Sequence, residues 1–292
     1  MSTTNHGEYY IPEPSKWPIV GTIALTTTVI GAVNTIHAGG EINLLLPVGL
    51  LLIAYLLFGW FGAVVDESMA GKYNEQVDRS FRIGMLWFIF SEVMFFAAFF
   101  GVLFYVRVFI MDWLAGGSNN AMTHELLWPG FEAVWPLLTN PDNAAVAGPD
   151  KAMGPTGLPA INTAILLLSS VTVTIAHHAL RQDHRKPLII WLAATVALGM
   201  IFLFFQVEEY VYAYRELGLT LDSGIYGSTF FMLTGFHGMH VTIGTTMLLV
   251  MLVRAIKGHF TSDNHFAFEA VAWYWHFVDV VWLGLFIFVY WL

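Results

Sequence analysis

The sequence predicts an all-α integral membrane protein with seven transmembrane helices. Its 292 residues are 57% hydrophobic and only 11% charged, whereas soluble domains average about 25% charged residues. Its apolar runs are long enough for helices to cross roughly 30 Å of hydrocarbon and too long for barrel strands. The absence of cysteine rules out disulfides and thiolate metal sites, and the net charge of −9 does not suggest a nucleic-acid partner.

The first predicted span follows a polar N-terminal segment, residues 1–15, which lacks the basic region of a cleaved signal peptide. We therefore expect the first apolar run to be a retained helix. The seven predicted spans are residues 17–36, 44–65, 82–110, 158–180, 188–212, 228–255 and 266–291.

The basic residues predict the orientation of these spans. With the N-terminus inside, the inner segments hold nine cations, Lys16, Lys72, Arg79, Arg82, Arg181, Arg185, Lys186, Arg254 and Lys257. The outer segments hold Arg107, Lys151 and Arg215. This asymmetry follows the positive-inside rule. The long connection 112–157, rich in glycine, proline and asparagine, is then expected to be an outer membrane-surface loop.

Span three carries one carboxylate, Glu92, among phenylalanines in the run RIGMLWFIFSEVMFFAAFFGVLFYVRVFI. An ionisable group inside lipid costs a few kcal/mol, so such groups usually face the protein interior. By residue chemistry alone Glu92 is a candidate for a proton relay. Its apolar surroundings predict a carboxyl group that is mostly protonated and bonded to another helix.

Span six carries His237 and His240, three residues apart on one helical face. Glycines 235, 238 and 244 make this helix thin, which lets a neighbouring helix approach closely. Haem or copper ligation is one interpretation, and hydrogen bonding across helices is the other. A b-type haem needs histidines on facing helices, and His237 with His276 is the pair that could be proposed.

Span seven has a polar face made by Glu269, His276 and Asp279, which lie within about 80° on a helical wheel. A transporter could use this row as a proton relay, and a hydrogen-bonded network between helices is an equally good interpretation. Partly interfacial anchors are expected from the tryptophans of the span, Trp273, Trp275, Trp282 and Trp291.

Two histidine-rich, basic segments are predicted at the inner surface. The first, AHHALRQDHRKP, holds His177, His178 and His184. A metal site is possible there, but contact with anionic headgroups is favoured. The same holds for the second group, Arg254, Lys257, His259 and His265. Motifs for nucleotide binding, zinc proteolysis or serine nucleophiles are lacking, so the residues alone identify no catalytic centre.

Several long motifs resemble cytochrome c oxidase subunit III. They are FIFSEVMFFAAFF around Glu92, AHHAL at 176–180, QVEEY at 206–210, GIYGSTFFMLTGFHGMHVTIG at 224–244 and HFTSDNHFAFEAVAWYWHFVDVVWL at 259–283. The similarity runs almost continuously from residue 157 to the C-terminus and again over 82–100. The first two spans are recognisable mainly by position and by WPIVG.

The resemblance implies two bundles, residues 1–80 with helices one and two and residues 81–292 with helices three to seven, separated by a V-shaped lipid-filled cleft. It implies a non-catalytic subunit III of an aa3-type cytochrome c oxidase that supports proton uptake and turnover stability of the oxygen-reducing, proton-pumping subunit. Subunit I would pack directly against it, with subunit II and a small subunit IV in the complex and cytochrome c as electron donor. Haem a, haem a3, CuA and CuB are expected in partner subunits, and this chain would bind phospholipids but no metal or haem.

The resemblance also assigns residues. Glu92 matches the family's carbodiimide-reactive membrane carboxylate, expected here to bond between helices and tune the neighbouring oxidase. The expected lipid contacts are Arg254, Lys257, His259, His265 and Trp60. The expected buried polar network is His237, His240, Glu269, His276 and Asp279. The family's usual Trp-Trp-Arg-Asp run is Trp60-Phe61-Gly62-Ala63 here, so basic contacts there are missing or replaced by Lys72 or Arg79, and the 112–157 loop is longer than expected.

The expected location is a bacterial inner membrane, with the N-terminus cytoplasmic and the C-terminus periplasmic. One alternative is an accessory subunit of a quinol oxidase or nitric oxide reductase. Quinol-oxidase versions usually have five helices, so the first two spans argue against it. The other alternative is a proton-coupled transporter using Glu92, Glu269 and Asp279.

Overall fold

The computed structural model describes residues 13–292; residues 1–12, which hold most of the polar N-terminal segment, lie outside the described part. Regular structure in residues 13–292 is helical. The helices are α1 Trp17–His37, α2 Leu45–Met69, α3 Glu75–Tyr105, α4 Met111–Leu114, α5 Ala121–Leu127, α6 Leu158–Arg181, α7 Arg185–Glu216, α8 Ile225–Lys257 and α9 Phe266–Leu285. Two π-helical turns, Val106–Ile110 and Phe286–Trp291, continue α3 and α9.

Seven helices of the described chain are long and apolar enough to cross a membrane, namely α1, α2, α3 and α6 to α9. The seven-helix prediction is therefore confirmed, and the chain is a multi-pass membrane protein. Several predicted spans are shorter than the helices, because the helices extend into polar residues at their ends. Helix α3 begins at Glu75 rather than at residue 82 because its first turns are polar, with the Arg82 Nε 2.7 Å from the Asp78 carboxylate.

The packing divides the chain into residues 1–83 and 84–292, and each unit is described by itself. In the first unit α1 and α2 form an antiparallel pair. Gly31 of α1 lies directly against the backbone of Leu46, and a Cβ atom on Gly49 would lie 2.6 Å from the Cα atom of Thr28. The glycines let the two backbones touch, as small residues do in other membrane helix pairs.

In the second unit the core is built around α9. The indole N–H of Trp275 donates to the Ser169 hydroxyl at 2.9 Å, and that of Trp282 donates to the Thr163 hydroxyl at 2.9 Å. A Cβ atom on Gly244 of α8 would lie 2.8 Å from the Trp275 ring. Both indoles are fully buried between helices. The prediction that they are partly interfacial anchors is wrong for these two, because hydroxyls of α6 satisfy their N–H groups.

The connection between α3 and α6 is tied to the end of the second unit where α8 begins. The Asn140 amide donates to the Val146 carbonyl at 3.0 Å, and the Met153 N–H donates to the Tyr226 hydroxyl at 3.1 Å. The Asp150 N–H donates to the Leu217 carbonyl at 2.9 Å. These bonds order a segment that has little regular structure of its own.

The close contact at Gly31 predicts a specific loss of stability. In Gly31→Ala the added methyl group would overlap the Leu46 backbone, which cannot rotate away, and such overpacking costs about 1–3 kcal/mol. Gly62→Ala is the matched control, because nothing lies within 4 Å of a Cβ atom there. Detergent or thermal unfolding of both variants should show a loss only for Gly31→Ala; equal stabilities would contradict the contact.

Candidate functional site

Glu92 of α3 and His240 of α8 form a hydrogen-bonded pair. The Nε2 atom of His240 lies 2.9 Å from the Glu92 carboxyl group, and its Nδ1 atom lies 2.6 Å from the Phe236 carbonyl. A carbonyl only accepts, so Nδ1 carries a proton. The bond to Glu92 then contains one shared proton, either on the carboxyl group or on Nε2. The pair is neutral overall in both arrangements, which suits a position inside lipid.

Aromatic rings surround this pair. The ring centroids of Phe96 and His240 are 4.9 Å apart, and those of Phe95 and Phe236 are 5.0 Å apart. The His240 side chain is 6% exposed, whereas that of Glu92 is 22% exposed. The imidazole is therefore enclosed, whereas the Glu92 side chain is partly exposed at the surface of the unit, where the Ser91 hydroxyl donates to its second oxygen at 3.5 Å.

His237 makes a different contact from His240. Its ring is fully buried and packs against Phe202 and Trp282, with Nε2 3.2 Å from the Val278 carbonyl. His276 lies about 200° around α9 from Val278, at 100° per residue. The two histidines thus meet different sides of α9, and the proposed haem ligation by His237 with His276 does not fit this geometry.

The polar residues of α9 do not form one network. His276 bonds to α6, with Nδ1 2.7 Å from the Ser170 hydroxyl, and its Nδ1 is 3.8 Å from the Asp279 carboxylate. Glu269 lies seven residues earlier, about 10 Å along the helix axis. The predicted single network of His237, His240, Glu269, His276 and Asp279 is therefore corrected to separate groups.

Glu269 belongs to a group at the start of α9. One ligand atom each from Glu269, His177 and His265 lies within 4.8 Å of the other two, and each residue is half-buried. Two imidazoles and a carboxylate are a donor set suited to a divalent ion such as zinc. His178 and His184, expected with His177, are exposed and lie outside this group.

The expected lipid contacts are placed differently from one another. Arg254 is only 8% exposed, with its guanidinium 4.6 Å from the Phe260 ring centroid, whereas Lys257 is exposed. His259 is half-buried, and Trp60 is exposed on α2 in the other unit. The lipid-binding role of these residues and of His265 stays a prediction.

The loop 182–184 between α6 and α7 contacts the loop 258–265 between α8 and α9. Asp183 follows α6 and receives the Ser262 N–H at 2.9 Å. Hydrogen bonds from the Ser262 hydroxyl and backbone lower the pKa of Asp183. The Arg185 guanidinium also donates to the Ile256 carbonyl at the end of α8. Cations near carbonyl groups at a helix C-terminus are favourable.

The chain matches the family model described as cytochrome c oxidase subunit III over residues 7–115 and 132–292. It belongs to the cytochrome c oxidase subunit III family. It is 40% identical to cytochrome c oxidase subunit 3 of Marchantia polymorpha over 292 residues, which is 100% of this chain and 98% of that relative. Identity to the Sus scrofa relative of the same name is 41% over 286 residues, 97% of this chain and 96% of the relative. The resemblance stated from sequence is confirmed, and the family is part of an oxidoreductase complex.

One internal stretch is not matched by the model of the cytochrome c oxidase subunit III family. Residues 116–131, between the two matched segments, contain α5. This stretch lies within the connection 112–157, which is longer than the resemblance led us to expect.

The sequence analysis selected polar residues of the spans but did not predict their partners. Glu92 and His240 are 148 positions apart, and nothing in either motif indicates that they meet. The same is true of His177 with His265. Their motifs were visible, but the pairing needed the packed helices.

The Glu92–His240 bond predicts coupled stabilities. Glu92→Leu or His240→Leu alone leaves a largely buried partner unsatisfied, at about 1–3 kcal/mol. The double variant should cost less than the sum of the singles. Unfolding measurements on all four proteins test this. A control cycle pairs Glu92→Leu with Thr246→Val, an exposed position on α8, and should be additive; additivity in both cycles would contradict the bond.

Proposed function

We propose that the chain is the non-catalytic subunit III of an aa3-type cytochrome c oxidase. It would support proton uptake and turnover stability of the subunit that reduces oxygen and pumps protons. Direct packing against subunit I, with subunit II, a small subunit IV and cytochrome c as donor, belongs to this proposal. Similarity over the whole chain to proteins named cytochrome c oxidase subunit 3 supports it.

The observation that carries this proposal is the Glu92–His240 pair. A carboxyl group that shares one proton with an imidazole can hold it in lipid without net charge. The 22% exposure of Glu92 leaves its carboxyl group accessible from one side. This supports a role beside a proton-conducting neighbour, and it fits Glu92 as the carbodiimide-reactive carboxylate.

The redox centres belong to the partners in this proposal. Among the described residues, the span histidines His237, His240 and His276 bond to a backbone carbonyl, a carboxyl group and a hydroxyl. Their rings lie at separate helix contacts, which does not suit a haem or copper centre. Haem a, haem a3, CuA and CuB are therefore assigned to partner subunits.

The proposed setting is a bacterial inner membrane with a cytoplasmic N-terminus and a periplasmic C-terminus. The distribution of Lys and Arg supports this orientation through the positive-inside rule. Phospholipid binding at the α8 C-terminus is part of the proposal. It is supported by the exposed Lys257 beside Arg254 and His259.

Turnover tests the proposed role. Deleting the chain should leave the initial rate of oxygen reduction largely intact, while activity should decay faster during turnover. In the intact complex Glu92→Gln should also speed the decay, because an amide can bond to His240 but cannot share its proton. Thr246→Val is the control, since its exposed hydroxyl bonds within its own helix, 2.8 Å from the Thr242 carbonyl, and is not part of the pair.

The contradicting outcome is immediate and complete loss of activity in a catalytic core that is otherwise assembled. A tagged chain that purifies without haem-containing subunits would refute membership in the complex itself.

Lipid content tests the basic end of α8. Arg254→Gln with Lys257→Gln should lower the anionic phospholipid that co-purifies with the complex, because two cations near headgroup depth are lost. Arg215→Gln removes an exposed cation from the opposite end of the second unit and serves as control. Mass spectrometry of the extracted lipids measures both; equal lipid content in the two variants would count against this site.

A further inference from the structure

A polar patch lies on the lateral surface of the second unit, where α6 meets α9 near the middle of the two spans. We call it the His276 patch; it consists of His276, Ser170, Thr174 and Asp279. The Nδ1 atom of His276 is 2.7 Å from the Ser170 hydroxyl, and its Nε2 atom is 3.4 Å from the Thr174 hydroxyl. The Asp279 carboxylate lies below them, 3.8 Å from Nδ1.

The His276 patch is exposed where the membrane is most apolar. Ser170 and Thr174 are central in α6, and His276 is central in the span Phe266–Trp291. The His276 side chain is 42% exposed, whereas Glu92 and His237, also central in their spans, are more buried. Lipid tails offer no hydrogen bonds, so polar side chains at this depth usually face protein or water.

The patch does not satisfy its own hydrogen-bonding groups. The Thr174 hydroxyl donates its single proton to the Ser170 carbonyl at 2.8 Å, so it can only accept from His276, and at a long 3.4 Å. The Asp279 carboxylate is buried, so within the patch it can interact with His276 but is not open to a group from outside. The His276 side chain is 42% exposed, and its Nε2 atom makes only the long bond to Thr174. A polar group from outside this chain could therefore bond to Nε2 at a shorter distance than Thr174 does.

Apolar side chains flank the patch. Leu167 and Val171 on α6 and Val280 on α9 are exposed and lie one or two turns from its polar centre. Membrane helices associate through surfaces of this kind, where close packing surrounds a polar group that bonds across the interface. Asp279 already balances any positive charge on His276, so a charged partner would leave a net charge in hydrocarbon.

We propose that the His276 patch is the contact for a transmembrane helix of another oxidase subunit, which places a Ser, Thr, Asn or Gln side chain against His276. The inference rests on the proposed function and deepens it by naming the face that meets the partner. Lipid, or a second copy of this chain, is the competing occupant.

Cross-linking in the intact complex identifies the occupant. The chain contains no cysteine, so Val280→Cys gives one labelling position a turn from His276 without altering the patch. A benzophenone maleimide attached there should form an adduct with another subunit on illumination. Adducts with lipid alone, or with a second copy of this chain alone, would overturn the proposal.

Retention of the chain gives the second test. His276→Leu should reduce severalfold the amount of chain that remains with the haem-containing subunits after detergent washing, and His276→Gln should restore much of it. Thr174→Val should weaken retention more than Thr246→Val, because both threonines are exposed and bond to their own helix at 2.8 Å, but only Thr174 is in the patch. Unchanged retention of His276→Leu would overturn the contact.

These outcomes separate the two proposals. If the unaltered chain purifies without haem-containing subunits, the proposed function fails, and the partner helix fails with it. If the unaltered chain co-purifies with them but Val280→Cys labels only lipid, the proposed function stands and the His276 patch is a lipid-facing surface.

Discussion

Polar groups within hydrocarbon need hydrogen-bond partners, and this constraint explains the position of many buried polar side chains of the chain. The indoles of Trp275 and Trp282 donate to hydroxyls of α6. His237 meets the Val278 carbonyl, and Tyr290 donates to the Glu209 carboxyl group at 2.6 Å. Each bond joins two different helices, or a helix and the π-helical turn after α9, because lipid tails supply no hydrogen-bonding partner. The polar residues are therefore the connections between the spans.

The helices meet in two different ways. In one kind of contact, glycines allow close approach: the backbones of α1 and α2 touch at Gly31 and Gly49, and the Trp275 ring packs directly on Gly244 of α8. Helix α3, from residue 84 onward, instead meets α8 and α9 through large rings, including Phe95 against Phe236 and Phe88 stacked 6.1 Å from Tyr274. Rings hold helices farther apart than glycines do. Ring packing alone does not fix which residues of α3 and α8 face each other, whereas the Glu92–His240 hydrogen bond does.

The sequence predicted the spans but not which side chains meet between them. Hydropathy identifies Leu158–Arg181 because a helix needs about 20 predominantly apolar residues to cross a bilayer. All three residues that the helical wheel placed on one face, Glu269, His276 and Asp279, do lie in α9. A helical wheel describes a single helix, however, and does not show which residues of other helices contact it. In the structure His276 forms a hydrogen bond with Ser170, and a ligand atom of Glu269 lies within 4.8 Å of one of His177. Partners so far apart in sequence are brought together by helix packing, which no local sequence pattern contains.

The Glu92–His240 pair is better suited to sharing a proton than to storing one. Moving the proton across the 2.9 Å bond leaves the pair neutral. Adding a proton would make it cationic and removing one would make it anionic, and both states are costly among phenylalanine rings. Storage of a proton therefore needs a compensating charge or water at the exposed side of Glu92. Without one, moving the shared proton changes only the direction of the dipole of the pair, and gain or loss of a proton requires a compensating group at that open side.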